Sequence, residues 1–280
     1  MAAEARSFIP LDPQSLPVLF VGGLHRSGTS ALAQLLASSP GIRGMSRTGA
    51  PENEGQHVQS VYLPASAHGG PGLFAFDRGA HLTERSAIAS KPNACALLRA
   101  WGPYWQLEPA DRRKLGYGPA GLVLLEKSPP NLVRTRLLQE MFPTAHFITL
   151  LRHPAVVTVS TARWRPSLAP ATLLRHWLHA HRVYGADRRY LRTVYELRYE
   201  DLLSDPRGTL AALAAKTDID GRFDLARLEA GHNDRHLQTW LTMANSLSRE
   251  DLRSIERQVR RYGYSLQAPY VLPFSGFAGA

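Results

Sequence analysis

Eight residues, Gly23-Leu24-His25-Arg26-Ser27-Gly28-Thr29-Ser30, constrain this chain more than any other stretch. They follow the apolar run Val18-Leu19-Phe20-Val21 and precede Ala31-Leu32-Ala33-Gln34-Leu35-Leu36-Ala37, a strong helix former. The local reading is strand, glycine loop, helix. The two glycines stand five apart, as in the phosphate-cradling pattern G-x-x-x-x-G-K-[ST]. Such a loop turns backbone N–H groups toward an anion, and the dipole of the following helix adds favourable potential. The lysine position of the pattern holds Thr29, and the cation stands three residues earlier, at Arg26. A phosphate-loop kinase needs that lysine on the phosphates and an acidic residue for magnesium. Here the apolar run ending at Leu125 leads into Glu126-Lys127, and the one ending at Leu151 leads into Arg152.

The rest of the chain alternates in the same way. Leu122–Leu125, Phe147–Leu151 and Val194–Arg198 read as strands. Pro130–Met141, Pro154–Arg163, Ala171–Tyr190, Leu210–Ala215 and Arg249–Tyr262 read as helices or parts of helices. Alternation of this kind predicts an α/β fold, three-layered, with a central parallel sheet. Residues 40–119 interrupt it with 8 prolines and 11 glycines. They are expected to be irregular covering structure with short helices, within one domain spanning residues 1–280.

Composition excludes several classes. At 44% hydrophobic and 20% charged, the chain is globular rather than disordered. No stretch approaches the roughly 18 apolar residues of a membrane helix, so no membrane span is expected. The lone Cys95 excludes an internal disulfide and a multi-cysteine metal site. His68, His81, His179 and His181 fall in no metal-binding spacing, and no metal is expected. The first 17 residues carry no export signal, which predicts a cytoplasmic protein. The net charge of +10 invites an anionic partner, but the arginines are scattered and form no nucleic-acid stripe. Oligomeric state is not legible.

With arginine at its apex and hydroxyls behind it, the 23–30 loop resembles the 5′-phosphosulfate loop, [KR]-[ST]-G-[TS]-[TS], of sulfotransferases dependent on 3′-phosphoadenosine 5′-phosphosulfate (PAPS). A second segment, Leu150-Leu151-Arg152-His153-Pro154 through Ser160, is similar to that family's 3′-phosphate element. There an arginine closes a strand and a serine follows on the next helix. His153 and Ala155 depart from its commoner Asp and Arg. A third, Glu126-Lys127-Ser128-Pro129, resembles the family's E-K-S/T-P segment, and a fourth, Tyr199-Glu200-Asp201-Leu202, its Y-E-D-L segment. The resemblance implies that Gly23, His25, Arg26, Ser27, Gly28, Thr29 and Ser30 hold the 5′-phosphosulfate. It implies that Arg152 and Ser160 hold the 3′-phosphate, and that Tyr199 approaches the adenine. Glu200 and Asp201 read better as an ordinary helix cap, Tyr199 reads either way, and Ser128 can also cap the helix after it.

By the same resemblance Arg26 and Lys127 stabilise charge during transfer. The base that deprotonates the acceptor is expected after the first helix, in Pro51-Glu52-Asn53-Glu54-Gly55-Gln56-His57. Glu54, His57 and Glu52 are all candidates, because a histidine needs little tuning and a glutamate can be tuned by burial. The implied reaction moves a sulfuryl group to a hydroxyl or amine of a small-molecule or sugar-containing acceptor, as in natural-product tailoring. The alternatives are a small-molecule kinase and a basic nucleic-acid-binding protein. Tyr62, Phe74, Phe76, Trp101, Tyr104 and Trp105 are expected to line the acceptor pocket or to form core.

Overall fold

The computed structural model describes residues 11–228 and 232–267. Its centre is a five-stranded, all-parallel sheet of β1 (Val18–Gly23), β2 (Ile42–Gly44), β3 (Val123–Lys127), β4 (His146–Leu151) and β5 (Thr193–Arg198), in the order β2-β3-β1-β4-β5. β1 pairs with β3 on one side, Val21 opposite Lys127, and with β4 on the other, Gly23 opposite Leu150. β1 is buried at every position, which suits a strand covered on both faces.

The helices are α1 (Thr29–Leu36), α2 (Lys91–Trp105), α3 (Pro109–Arg112), α4 (Thr135–Met141), α5 (Pro154–Ala162), α6 (Pro170–Asp187), α7 (Tyr199–Ser204), α8 (Pro206–Thr217), α9 (His232–Met243) and α10 (Arg249–Val259). Alternation along β1 sorts the two faces. Leu19 and Val21 pack with Leu32, Leu35 and Leu36 of α1 and with Leu210 and Leu213 of α8. Val18 and Phe20 pack with Trp101 and Trp105 of α2 and with Leu137 and Leu138 of α4. A further cluster on α5, α6 and α10 is built around Trp177, Tyr184 and Ile255, with Trp240 of α9 in it. These layers make the expected three-layer α/β fold. Among the described residues no helix is long and apolar enough to cross a membrane.

Residues 40–119 hold β2, a run of single 3₁₀ turns, and the 15-residue α2. Two sequence expectations needed correction here. Ile42–Gly44 joins the sheet edge rather than the irregular cover, with Ile42 opposite Val123. Pro130–Met141 is not one helix: a 3₁₀ segment over Pro129–Val133 ends at Arg134 (φ −128°), and α4 starts afresh at Thr135. The aromatics of the covering segment divide. Phe74, Trp101 and Trp105 have no exposed surface and Tyr62 is buried, so these four are core, whereas Phe76 is 42% exposed.

Candidate active site

Gly23, Lys127 and Leu151 all end strands on the same edge of the sheet. The chain runs from β1 to the β2–β3 side and then returns to β4 on the other, so β1 and β4 flank a topological switch point, where α/β folds take ligands. A cavity of about 440 Å³ lies there, and its lining includes His25, Arg26, Gly28–Ser30, Arg152, Ser160 and Tyr199. The covering segment contributes Pro51, Glu52, Glu54, Gln56 and His57.

The loop is built by close approach. Gly28, at φ +95°, is left-handed, and a Cβ there would stand 2.7 Å from the Tyr199 ring. A Cβ on Gly23 would stand 2.7 Å from the Leu150 carbonyl oxygen. Arg26 itself has φ +71°, in the left-handed region that residues with a Cβ seldom adopt. Its guanidinium lies 4.4 Å from the Trp164 ring centre, and its Nε donates to Ser160 Oγ at 2.8 Å. The Ser27 hydroxyl is buried without a protein partner. Desolvation, helped by the Lys127 charge, lowers the His25 pKa to about 3, so that ring is neutral.

The second charged group sits at the end of β3. Lys127 is buried, and its Nζ donates to Ser30 Oγ and to Glu54 Oε1, both at 3.0 Å. Glu54 is buried too; its Oε2 accepts from Gln56 Nε2 at 2.5 Å and lies 3.6 Å from His57 Nε2. Glu54 and His57 are therefore neighbours, with Glu54 on the lysine. Glu52 also lines the cavity but is exposed, at φ +52°.

At the end of β4, Arg152 donates through NH1 to the Arg26 carbonyl at 3.0 Å and stacks 4.3 Å from the Tyr199 ring centre. Its Nε and NH2 both donate to Asn233 Oδ1, at 2.9 and 2.6 Å. His153 stands where the resembling family commonly has Asp, and does an aspartate's capping work: its Nδ1 accepts from the Ala155 N–H at 3.2 Å. Burial lowers its pKa to about 4, so the ring is neutral and one of its nitrogens can accept.

A family model for the sulfotransferase family matches residues 17–225. The chain belongs to that family. Omega-hydroxy-beta-dihydromenaquinone-9 sulfotransferase Stf3 of Mycobacterium bovis is 30% identical to this chain over 171 residues, a match covering 51% of this chain and 42% of that one. The match thus spans less than half the length of that relative. Two solved structures share the fold. Sulfotransferase STF9 from Mycobacterium avium aligns at TM-score 0.52 and 14% identity, over 89% of this chain and 76% of that one. A sulfotransferase domain from the curacin biosynthetic pathway aligns at TM-score 0.50 and 16% identity, over 94% and 95%.

Several other side chains were misread or missed in the sequence. Glu200 is no mere cap: it is partly buried at the start of α5 and accepts from the His153 N–H at 2.9 Å, Asn233 Nδ2 at 3.0 Å and Tyr264 OH at 3.0 Å. Burial raises its pKa. Asp201 instead pairs with Arg198. Ser128 makes no cap hydrogen bond; its hydroxyl donates to Glu126 Oε1 at 2.6 Å and accepts from the Gln56 N–H at 3.1 Å. Glu126 also accepts from the Gly55 N–H at 3.0 Å and Asn131 Nδ2 at 2.6 Å, and burial raises its pKa. Only its place in the E-K-S-P segment hinted at this. Trp164 and His236, which line the cavity, gave no signal.

The four histidines assigned to structure have structural surroundings. His68 meets Asp77, His81 meets Asp187, and His181 Nδ1 meets the Trp177 carbonyl. His179 lies against Phe76. Among the described residues no group of three or more His, Cys, Asp or Glu is placed to hold a metal ion.

Proposed function

We propose that this sulfotransferase moves a sulfuryl group from PAPS to a hydroxyl, or an amine, of a small-molecule or sugar-containing acceptor. The observation that carries the reading is the convergence of Arg26 and Arg152 on one cavity at the sheet's switch point, with Lys127 behind its wall, bonded to Ser30 and Glu54 of the lining. At about 440 Å³ the cavity falls in the range of small-molecule sites, roughly 300–1,000 Å³. The buried, unpartnered Ser27 hydroxyl and the helix start behind it fit an anionic group in the loop.

PAPS supplies the activated sulfuryl group and a phosphate leaving group. Arg26 and Lys127 stabilise the negative charge that develops as the sulfur–oxygen bond to that phosphate breaks. The acceptor oxygen forms the new bond to sulfur, and Glu54 takes its proton, with His57 the alternative base. Lys127 touches both Ser30 of the loop and Glu54, which holds the base beside the reacting end of the donor. Arg152 and Ser160 hold the 3′-phosphate, away from the chemistry. Pro51, Ala65, Pro71, Pro129 and Trp164 give the acceptor side an apolar wall, which favours an acceptor with an apolar body.

Calorimetric titration with adenosine 3′,5′-bisphosphate in the presence of EDTA tests this. Saturable binding is expected, weakened in Arg152→Ala by on the order of 1.5–3 kcal/mol, the worth of a charged hydrogen-bonded contact. Binding of magnesium-ATP in preference to the bisphosphate would favour the kinase reading, and salt-steep binding of duplexes the nucleic-acid reading.

A further inference from the structure

The match to the family model ends at residue 225, and α9 begins at His232. Yet α9 packs on α5 and delivers Asn233 to the guanidinium at the end of β4. Asn233 Oδ1 takes two of the five N–H bonds of Arg152, from Nε and NH2, and the Arg26 carbonyl takes a third. Asn233 is itself held, through Nδ2, by the half-buried Glu200, which also binds the His153 N–H and Tyr264 OH. The chain of contacts runs Tyr264, Glu200, Asn233, Arg152. His236, three residues on from Asn233, lines the same cavity.

We propose that Asn233 is a positioning residue for the donor site: it fixes the plane of the Arg152 guanidinium so that its remaining N–H bonds address the donor's 3′-phosphate. This rests on the reading that Arg152 holds that phosphate. A neutral amide suits the task. It anchors the fork's Nε–NH2 edge without cancelling the charge, which a carboxylate at the same position would do. Tyr199, stacked on the guanidinium face, fixes the same plane from the side. A guanidinium with one edge and one face held has lost its rotational freedom before the ligand arrives, and binding need not supply that ordering. The part of the chain beyond the family match thereby becomes part of nucleotide recognition.

The test is the selectivity for adenosine 3′,5′-bisphosphate over adenosine 5′-monophosphate, read by calorimetry in wild type, Arg152→Ala, Asn233→Ala and Asn233→Asp. Asn233→Ala is expected to lose about 10-fold in bisphosphate affinity and to keep its affinity for the monophosphate. Asn233→Asp, which keeps the side chain's size but adds a negative charge beside the phosphate, is expected to lose at least as much. Unchanged selectivity in both Asn233 variants, while Arg152→Ala loses it, would overturn the proposal. Equal losses for both nucleotides would overturn it too, because they would mark a general structural role. Absence of selectivity in the wild type would instead overturn the 3′-phosphate reading of Arg152.

Discussion

Gly28 shows how narrowly the loop is specified. Its φ of +95° is costly for any residue with a Cβ, and a Cβ would also meet the Tyr199 ring at 2.7 Å. Gly28→Ala is therefore expected to displace Tyr199, and with it the guanidinium stacked on that ring. Bisphosphate affinity should fall at least about 10-fold, by calorimetry, while the far-UV circular dichroism stays native. The base is a separate matter at this scale. Glu54→Gln should keep donor affinity and lose roughly 100-fold or more in turnover. Arg26→Ala should lose both, since it touches the donor. A His57→Ala variant with the Glu54 phenotype, beside a near-normal Glu54→Gln, would move the base to His57. The positions of the loop glycines, Arg26, Arg152 and Lys127 were legible in the sequence because each stands at a strand end or in the loop that follows one. Asn233 and Glu200 were not, because the contact between them joins positions 33 apart on separate helices.

At the scale of elements, Glu126 fastens the covering segment to the sheet. It binds the Gly55 N–H and Ser128, and Ser128 in turn binds the Gln56 N–H, so Glu54 sits next to backbone tied to β3. Trp101 of α2 secures the same turn by donating to the Gly55 carbonyl at 3.0 Å. Glu126→Ala leaves buried donors unpaired and should cost at least about 2 kcal/mol. A thermal melt should show a loss of several degrees, with turnover reduced as Glu54 loses its support. The elements read correctly from sequence were those with a long apolar run or a clear helical period, such as β4 and α6. β2 escaped because Ile42-Arg43-Gly44 offers one apolar residue and no alternation. α2 carries Gly102 and Pro103 near its end, the residues that otherwise mark loops, and it is held by its buried tryptophans. Among the described side chains of α9 only Trp240 is fully buried, too thin a pattern to announce a helix.

For the whole molecule, the buried histidines set the response to acid. Desolvation lowers His25 and His176 to about 3, and His153 and His181 to about 4, from 6.5. The folded chain keeps these rings neutral, while the unfolded chain protonates them below about pH 6.5. Their contribution to stability is therefore full above that pH and falls as the pH drops toward 4 and then 3. Four such groups give a slope of up to about 5 kcal/mol per pH unit. Glu126 and Glu200 oppose it, because their raised pKa values let the fold take up protons as the pH falls. Urea midpoints should decline between pH 7 and pH 5; a flat profile would contradict the neutral, buried state of the rings.

The central claim is that this fold presents one site to both ends of a 3′-phosphorylated adenosine nucleotide. A crystal structure of the complex with adenosine 3′,5′-bisphosphate measures it directly. The 5′-phosphate is expected within hydrogen-bond distance of the backbone N–H groups of residues 26–30, and the 3′-phosphate on Arg152 and Ser160. Glu54 and His57 are expected on the side of the 5′-phosphate where the sulfuryl group would project. A nucleotide bound elsewhere, or one whose 3′-phosphate lies away from Arg152, would contradict it.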